Sequence, residues 1–363
     1  MKKNLLCAAV AAALAVSMLS GCGSSSAEET TAAAEETSAE AESTEAASEA
    51  ETEAESETAA EAADTDKTVV RVGALSGPTA MGMVKLMEDN EAGTTANAYE
   101  FADLATEASA LVTPIAQGEL DIAAVPSNLA STLYSKTNGG VEVLAVNALG
   151  VLNLVSKGDD SVAGMQDLAG HKLYATGQSA VPEYVIRYIL NANGIDPDKD
   201  VEIQWCADTT EALSYLKESD EALAVLPQPF ATAAVAQVEG LSIVEDLNDA
   251  WAKLDTGCEI TTGVLVVRKD FAEANPEAVE TFLSEYAASV AYTESNVSDC
   301  AALIEKYGII AKAAIAEKAL PKCHIVCLTG DEMKTALSGF LQVLYDQDPK
   351  AVGGALPGDD FYY

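Results

Sequence analysis

The chain is 363 residues long and carries 58 acidic side chains against 20 basic ones, a formal net charge of −38. Nucleic-acid binding needs clustered lysine and arginine to neutralise phosphates, so no nucleic-acid partner is expected. With 49% hydrophobic residues, the length exceeds what one core usually serves and points to two lobes.

Lys2 and Lys3 precede an apolar run, LLCAAVAAALAVSML, that stops at Leu19-Ser20-Gly21-Cys22. A basic start, a short apolar stretch and small residues at its end form a secretory signal peptide, assigned to 1–21. The run is shorter than the roughly 20 residues a membrane span needs. Its ending resembles a bacterial lipobox, which implies cleavage before Cys22 and a diacylglyceryl thioether on that residue. The mature protein is then expected outside the cytoplasm, anchored to the cell membrane by lipid.

From Gly23 to Asp66 the chain is nearly all Ala, Glu, Ser and Thr, with 15 acidic residues and no basic one. Such a segment has too little apolar surface to fold. Residues 22–66 therefore read as a lipidated cysteine followed by a disordered acidic tether, with a mean reach of roughly 35 to 40 Å. The remaining residues, 67–363, still hold 43 acidic against 18 basic side chains, an excess that favours solubility and identifies no ligand.

Beyond the tether, short apolar β-branched runs alternate with longer helical patterns. VVRVGAL (69–75) reads as a strand and AMGMVKLMEDN (80–90) as one helix. LDIAAVP (120–126) and VEVLAVNA (141–148) are strand-like, with SNLASTLYSK (127–136) helical between them. The same grammar recurs in HKLYATG (171–177), AVPEYVIRYILNANG (180–194), VEIQWCA (201–207), TEALSYLKES (210–219) and EALAVLP (221–227). This is an α/β pattern, expected to form largely parallel sheets.

TTGVLVVRKD (261–270) then reads as a strand returning the chain to the first sheet. Asn275-Pro276 starts a helix that carries Val279, Phe282, Leu283 and Tyr286 on one face, and the C-terminal segment is helical. Two crossings, near Asn147 to Gly150 and near Glu259 to Thr262, divide the chain into a first lobe of 67–147 plus 262–363 and a second of 148–261.

Five cysteines remain after Cys7 leaves with the signal peptide and Cys22 takes lipid, and an odd number excludes a complete disulfide framework. Cys323 to Cys327, CHIVC, reads as a core strand, in which His324 would face away from both sulfurs. A disulfide and a metal site are the alternatives at that cluster. No cofactor is expected. Gly-x-Ser-x-Gly, Gly-Lys-Ser and His-Glu-x-x-His motifs do not occur, and the two histidines, His171 and His324, read as structural or exposed, so the chain is not expected to be an enzyme.

The strand-to-helix turns are instead rich in small, uncharged polar residues: Ser76-Gly77-Pro78-Thr79, Ser127-Asn128, Thr176-Gly177-Gln178-Ser179 and Gln228. In α/β lobes, ligands bind outside the carboxyl ends of strands, where such turns collect. Helix starts there offer unpaired N–H groups and the positive end of a dipole. These residues, with Asn147, Thr261 and Thr262 at the crossings, are the candidate ligand-binding set. Helix capping alone is the competing reading.

From about Val69 to Asn296 the chain resembles bacterial ABC-transporter solute-binding lipoproteins of the nitrate, sulfonate and taurine group, with the thiamine-precursor (NMT1/THI5-like) binders among its relatives. GELDIAAVPSN (118–128), the run from Gly164 to Ile203, LAVLPQPFATA (223–233) and GVLVVRKDFAEANPEAV (263–279) carry the resemblance. It implies a two-lobe periplasmic-binding-protein fold of type II with two crossovers. It also implies a monomer that captures a small anionic or zwitterionic organic solute and delivers it to an ABC permease and, through it, an ATPase. A heteroaromatic ligand stacking on Phe230 or Trp205 is the alternative. An extracytoplasmic enzyme or metal protein using residues 323–327 is the rival class.

Overall fold

The computed structural model describes residues 67–363. The signal peptide, Cys22 and the acidic tether lie outside the described residues. In chain order the strands are β1 (Val69–Ala74), β2 (Ala98–Phe101), β3 (Ile122–Pro126), β4 (Val141–Leu149), β5 (Leu152–Lys157), β6 (Lys172–Ala175), β7 (Glu202–Trp205), β8 (Ala222–Pro227), β9 (Leu241–Asp246), β10 (Thr261–Arg268) and β11 (Ile325–Leu328). They form a six-stranded sheet, β11-β4-β10-β3-β1-β2, and a five-stranded sheet, β7-β6-β8-β5-β9.

Period-two burial explains why the central strands are apolar on both sides. Ala123 and Val125 enter one core cluster while Ile122 and Ala124 enter another, and in β10 Val264 and Val266 part from Leu265 and Val267 in the same way. The first sheet is therefore covered on both faces, by helix Gly330–Gln347 through Phe340 and Leu341 on one side and by helix Pro276–Ser295 through Phe282 and Tyr286 on the other. In the second sheet Leu223 and Val225 part from Ala224 and Leu226. Strands buried on both faces read as continuous apolar runs.

The sheets are mixed, which corrects the expectation of largely parallel pairing. β1 is parallel to β2 and β3, and β6 to β7 and β8, as strand-helix-strand units require. β10 runs antiparallel to β3 and β4, and β5 antiparallel to β8 and β9. The cause is the crossing. Only Gly150 and Val151 separate β4 from β5, so the direction of β5 is set by entry from the first sheet and not by a helical crossover.

Two local expectations also change. The helix read over 80–90 is broken into Pro78–Met81 and Val84–Glu91. Ser289 Oγ donates to the Gly82 carbonyl (2.6 Å) and accepts from the Leu86 N–H (3.1 Å), and a Cβ at Gly82 would stand 2.6 Å from the Tyr286 hydroxyl. The strand at 323–327 begins only at Ile325. Cys323 instead follows the turn Leu320–Lys322, where its Sγ donates to the Ala319 carbonyl, and His324 adopts φ 46°. Extended alternation therefore does not govern the His324 ring. Burial pushes the thiols up, Cys323 to about 12 and Cys327 to about 11. The five described cysteines are unpaired, and among the described residues no group of three or more His, Cys, Asp or Glu side chains is placed to hold a metal.

Candidate functional site

At the end of β1 the chain turns sharply. Leu75 bridges to Ala105, the Ser76 N–H donates to the Ala105 carbonyl (2.8 Å), and Gly77 takes φ 115°. A Cβ at Gly77 would meet nothing within 4 Å, so the backbone angle, and not crowding, calls for glycine there. Pro78 opens the four-residue helix, and no side chain caps it. Thr79 is buried with its hydroxyl donating to the Leu75 carbonyl (2.6 Å). That hydroxyl is committed to the turn, whereas half-buried Ser76 remains at its surface.

At the end of β3, Ser127 opens helix Ser127–Lys136, yet it is fully buried and its Oγ donates to the Thr261 carbonyl (2.6 Å). Asn128 is half-buried beside it, and Thr262 follows Thr261 half-buried. Asn147 is buried, its Nδ2 donating to the Thr79 carbonyl (2.9 Å) while its Oδ1 has no partner. Gly263 permits this contact, because a Cβ there would lie 2.5 Å from Asn147 Oδ1 and 2.7 Å from Thr79 Cγ2. The Tyr286 hydroxyl is also unpartnered, and burial raises its phenol, an effect that Asn147 partly offsets. Thr79, Ser127, Asn147 and Thr261 thus converge in one buried polar seam at the same end of the first sheet.

In the second sheet Ala175 of β6 pairs with Val225 of β8, which sets the Thr176–Ser179 turn beside Gln228. Gly177 (φ 81°) and Ser179 (φ 61°) shape that turn. Thr176 is half-buried, Gln178 and Ser179 are exposed, and the Ser179 N–H donates to Glu183 Oε2 (2.7 Å). No side chain caps helix Val181–Ala192 or helix Ser127–Lys136 from the Ncap position. Gln228 is buried. Its Oε1 accepts from the Thr232 hydroxyl (2.8 Å), its N–H donates to the Val151 carbonyl (2.7 Å), and its Nε2 has no partner. Phe230 packs against the second-sheet core, and Trp205 ends β7 opposite Ala175.

The crossing joins the two groups. Thr261 pairs with Leu149, its buried hydroxyl without a partner, and Gln228 is bonded to Val151 two residues further on. Two residues of extended chain span roughly 7 Å. Buried polar groups are nearly always satisfied, so two orphans on adjoining segments single out the crossing.

The arginines are all paired with carboxylates, and Glu183, one of them, also accepts from the Ser179 N–H. Arg71 holds buried Asp121 at 2.6 Å, Arg268 reaches the same carboxylate, and Arg187 pairs with Glu183 and Asp198. Two cavities, of about 400 and about 350 Å³, lie away from the turns. The larger sits by Arg268 and Lys269 and the smaller between Leu149, His324 and Thr293. Sequence reasoning missed β5 and β9, and with β9 it missed Asp246 and Asn248, which stand at the crossing. The signal was available in Asp246-Leu247, an acidic residue before an apolar helical start.

Residues 78–305 match the NMT1-like family. No curated protein matches the chain by sequence. Among solved structures, an ABC transporter protein from Parabacteroides distasonis is 23% identical and superposes with a TM-score of 0.69 over 82% of this chain and 99% of its own. The periplasmic aliphatic sulphonate binding protein of Escherichia coli is 14% identical, with a TM-score of 0.63 over 81% and 98%. A ligand-binding component of an ABC-type import system from Staphylococcus aureus, solved with zinc bound, is 14% identical, with a TM-score of 0.61 over 82% and 97%. These likenesses establish the two-lobe fold of periplasmic binding proteins.

Proposed function

The chain belongs to the NMT1-like family, and from that premise we propose that it is an extracytoplasmic solute-binding lipoprotein of an ABC importer. It is a binding protein and not an enzyme. It takes a small anionic or zwitterionic organic solute between two lobes and presents it to a membrane permease driven by an ATPase. It acts as a monomer held to the membrane through Cys22, and the acidic tether lifts the folded part off the surface.

The observation that carries this reading is the pair of buried, unpartnered groups, Thr261 Oγ1 and Gln228 Nε2, on either side of the crossing. A solute bonded to groups on both sides of the crossing is held best when the two lobes are brought together on it, which is what couples binding to closure. The uncapped start of helix Ser127–Lys136, with no acidic residue in its first turn, adds N–H donors and a positive dipole end suited to an oxyanion. The names of the structural neighbours, one a sulphonate binder and two from ABC systems, support the same class.

The test is a thermal-shift screen of sulfonates, nitrate, taurine, amino acids and pyrimidines on the full chain, followed by calorimetry on the hits. A sulfonate or zwitterion that binds in the micromolar range, and that Thr261→Val and Gln228→Met both weaken, supports the proposal. A hit weakened by neither variant places the ligand elsewhere.

A further inference from the structure

A side-chain polar contact joins the two sheets near the crossing. His324 Nε2 lies 3.0 Å from Asp246 Oδ2. His324 immediately precedes β11, the edge strand of the first sheet, and Asp246 is the last residue of β9, the edge strand of the second. Both are anchored locally. The His324 carbonyl accepts from the Leu149 N–H (3.0 Å), and Asp246 caps helix Leu247–Ala252 by accepting from the Asn248 N–H (2.8 Å). Asn248 Nδ2 in turn donates to the Gly150 carbonyl (2.7 Å). The His324–Asp246 pair therefore spans the sheets beside the two-residue link about which they would rotate.

The geometry points to a proton-operated latch: His324 on Asp246 favours the arrangement of the lobes seen here most when the imidazole is charged, and less as it loses its proton. This rests on the fold alone and requires no knowledge of the solute.

The backbone supports a dedicated position. His324 sits at φ 46°, a left-handed conformation that asparagine, aspartate and histidine adopt more readily than other non-glycine residues, and one that takes its ring out of the alternation of β11. The charged groups that act on it are Asp246, at the end of β9, and Asp249, on helix Leu247–Ala252; Glu294, from helix Pro276–Ser295, lines the cavity of about 350 Å³ that His324 also lines. All three are carboxyl side chains, so each favours the imidazolium. The hydrogen bond to Asp246 raises the His324 pKa above its ordinary 6.5, against the opposing effect of burial. The chain's other histidine, His171, pairs with Asp159 inside the second lobe, 3.2 Å away, and bridges nothing between sheets.

The experiment uses the full chain without added solute. Spin labels replace Lys136 and Lys217, exposed helical positions flanking the first and second sheets, and the interlobe distance distribution is recorded from pH 5.5 to 8.5. For a partly exposed pair the population ratio of the two arrangements should change roughly twofold to fivefold across that range. His324→Asn and Asp246→Asn are the variants, because asparagine tolerates the left-handed backbone at the first position and caps a helix at the second. The pH response should vanish in both and persist in His171→Asn. The imidazole resonances give an independent readout, since with two histidines the His324 signal is separable, and its titration midpoint should fall in Asp246→Asn. A wild-type distribution invariant with pH overturns the latch, as does an unchanged pH response in His324→Asn.

Discussion

Thr261 lies across from Leu149 in the first sheet and Gln228 is bonded to Val151 in the second, so two buried polar groups from different sheets hang off one short stretch of chain. Each leaves one atom unpartnered, the Thr261 hydroxyl oxygen and the Gln228 amide nitrogen. This relation separates a binding role from a structural one, because the two predict opposite signs for the same substitution.

Thr261→Val removes a buried hydroxyl that has no partner within the protein. An unsatisfied buried polar group costs about 1 to 3 kcal/mol, so the variant should melt at the same or a higher temperature. Its affinity for a charged solute should fall roughly tenfold to a hundredfold, as loss of a hydrogen bond to a charged group implies. A lowered melting temperature with unchanged affinity would show that the hydroxyl is structural. Calorimetry and a thermal melt on the same sample decide between them.

The Ser76–Thr79 turn divides into two roles. Thr79→Val breaks the bond to the Leu75 carbonyl and should lower stability by about 1 kcal/mol with binding intact. Ser76→Ala should do the reverse, weakening binding with little effect on stability. Chemical denaturation and calorimetry on the two variants separate these outcomes.

Gly263→Ala should be among the most damaging small changes in the first sheet. Its Cβ would be 2.5 Å from Asn147 Oδ1 and 2.7 Å from Thr79 Cγ2, in a seam already buried. Overpacking of this kind costs about 1 to 3 kcal/mol. Gly77→Ala meets no such neighbour but would have to hold φ 115°, so its penalty is purely conformational. Urea denaturation of both variants would measure the two penalties apart.

Stability should depend on pH through His324 and Asp246. The raised His324 pKa contributes stability that is fully present below its unfolded value, near 6.5, and is lost as pH rises through the folded value. Burial pushes Asp246 up, but hydrogen bonds from His324 and Asn248 outweigh it and leave the pKa lowered. Its contribution is present above its unfolded value and is lost as pH falls through the folded one. The pair therefore stabilises most between about pH 4 and pH 6.5, and melting curves of Asp246→Asn should be flatter on the alkaline side of that window.

The lipid anchor is testable without a ligand. Cys22→Ala should move the protein from the membrane fraction to the soluble one, because the acyl chains supply the insertion free energy. Retention in the membrane fraction would exclude Cys22 as the anchor.

Sequence by itself determined what depends on near neighbours. The bounds of helix Ser127–Lys136 follow from its own residues, as do the strand character of Thr261–Arg268 and the start of helix Pro276–Ser295 at a proline. So do the excess of acid and the position of the polar turns, since the ends of β1, β3, β6 and β8 are marked by glycine, proline or hydroxyl residues. The tertiary structure alone decided what those turns do. A serine hydroxyl at a helix start can turn to its own backbone, to solvent or to a distant carbonyl, and Ser127 binds that of Thr261, 134 residues away. The choice depends on which strand lies alongside, and strand order is not encoded within any local window. The same holds for His324. Alternation places its ring opposite the neighbouring sulfurs only if the strand is extended there, whereas the carbonyl bond to Leu149 and the ring contact with Asp246 are set by how the two sheets meet at the crossing.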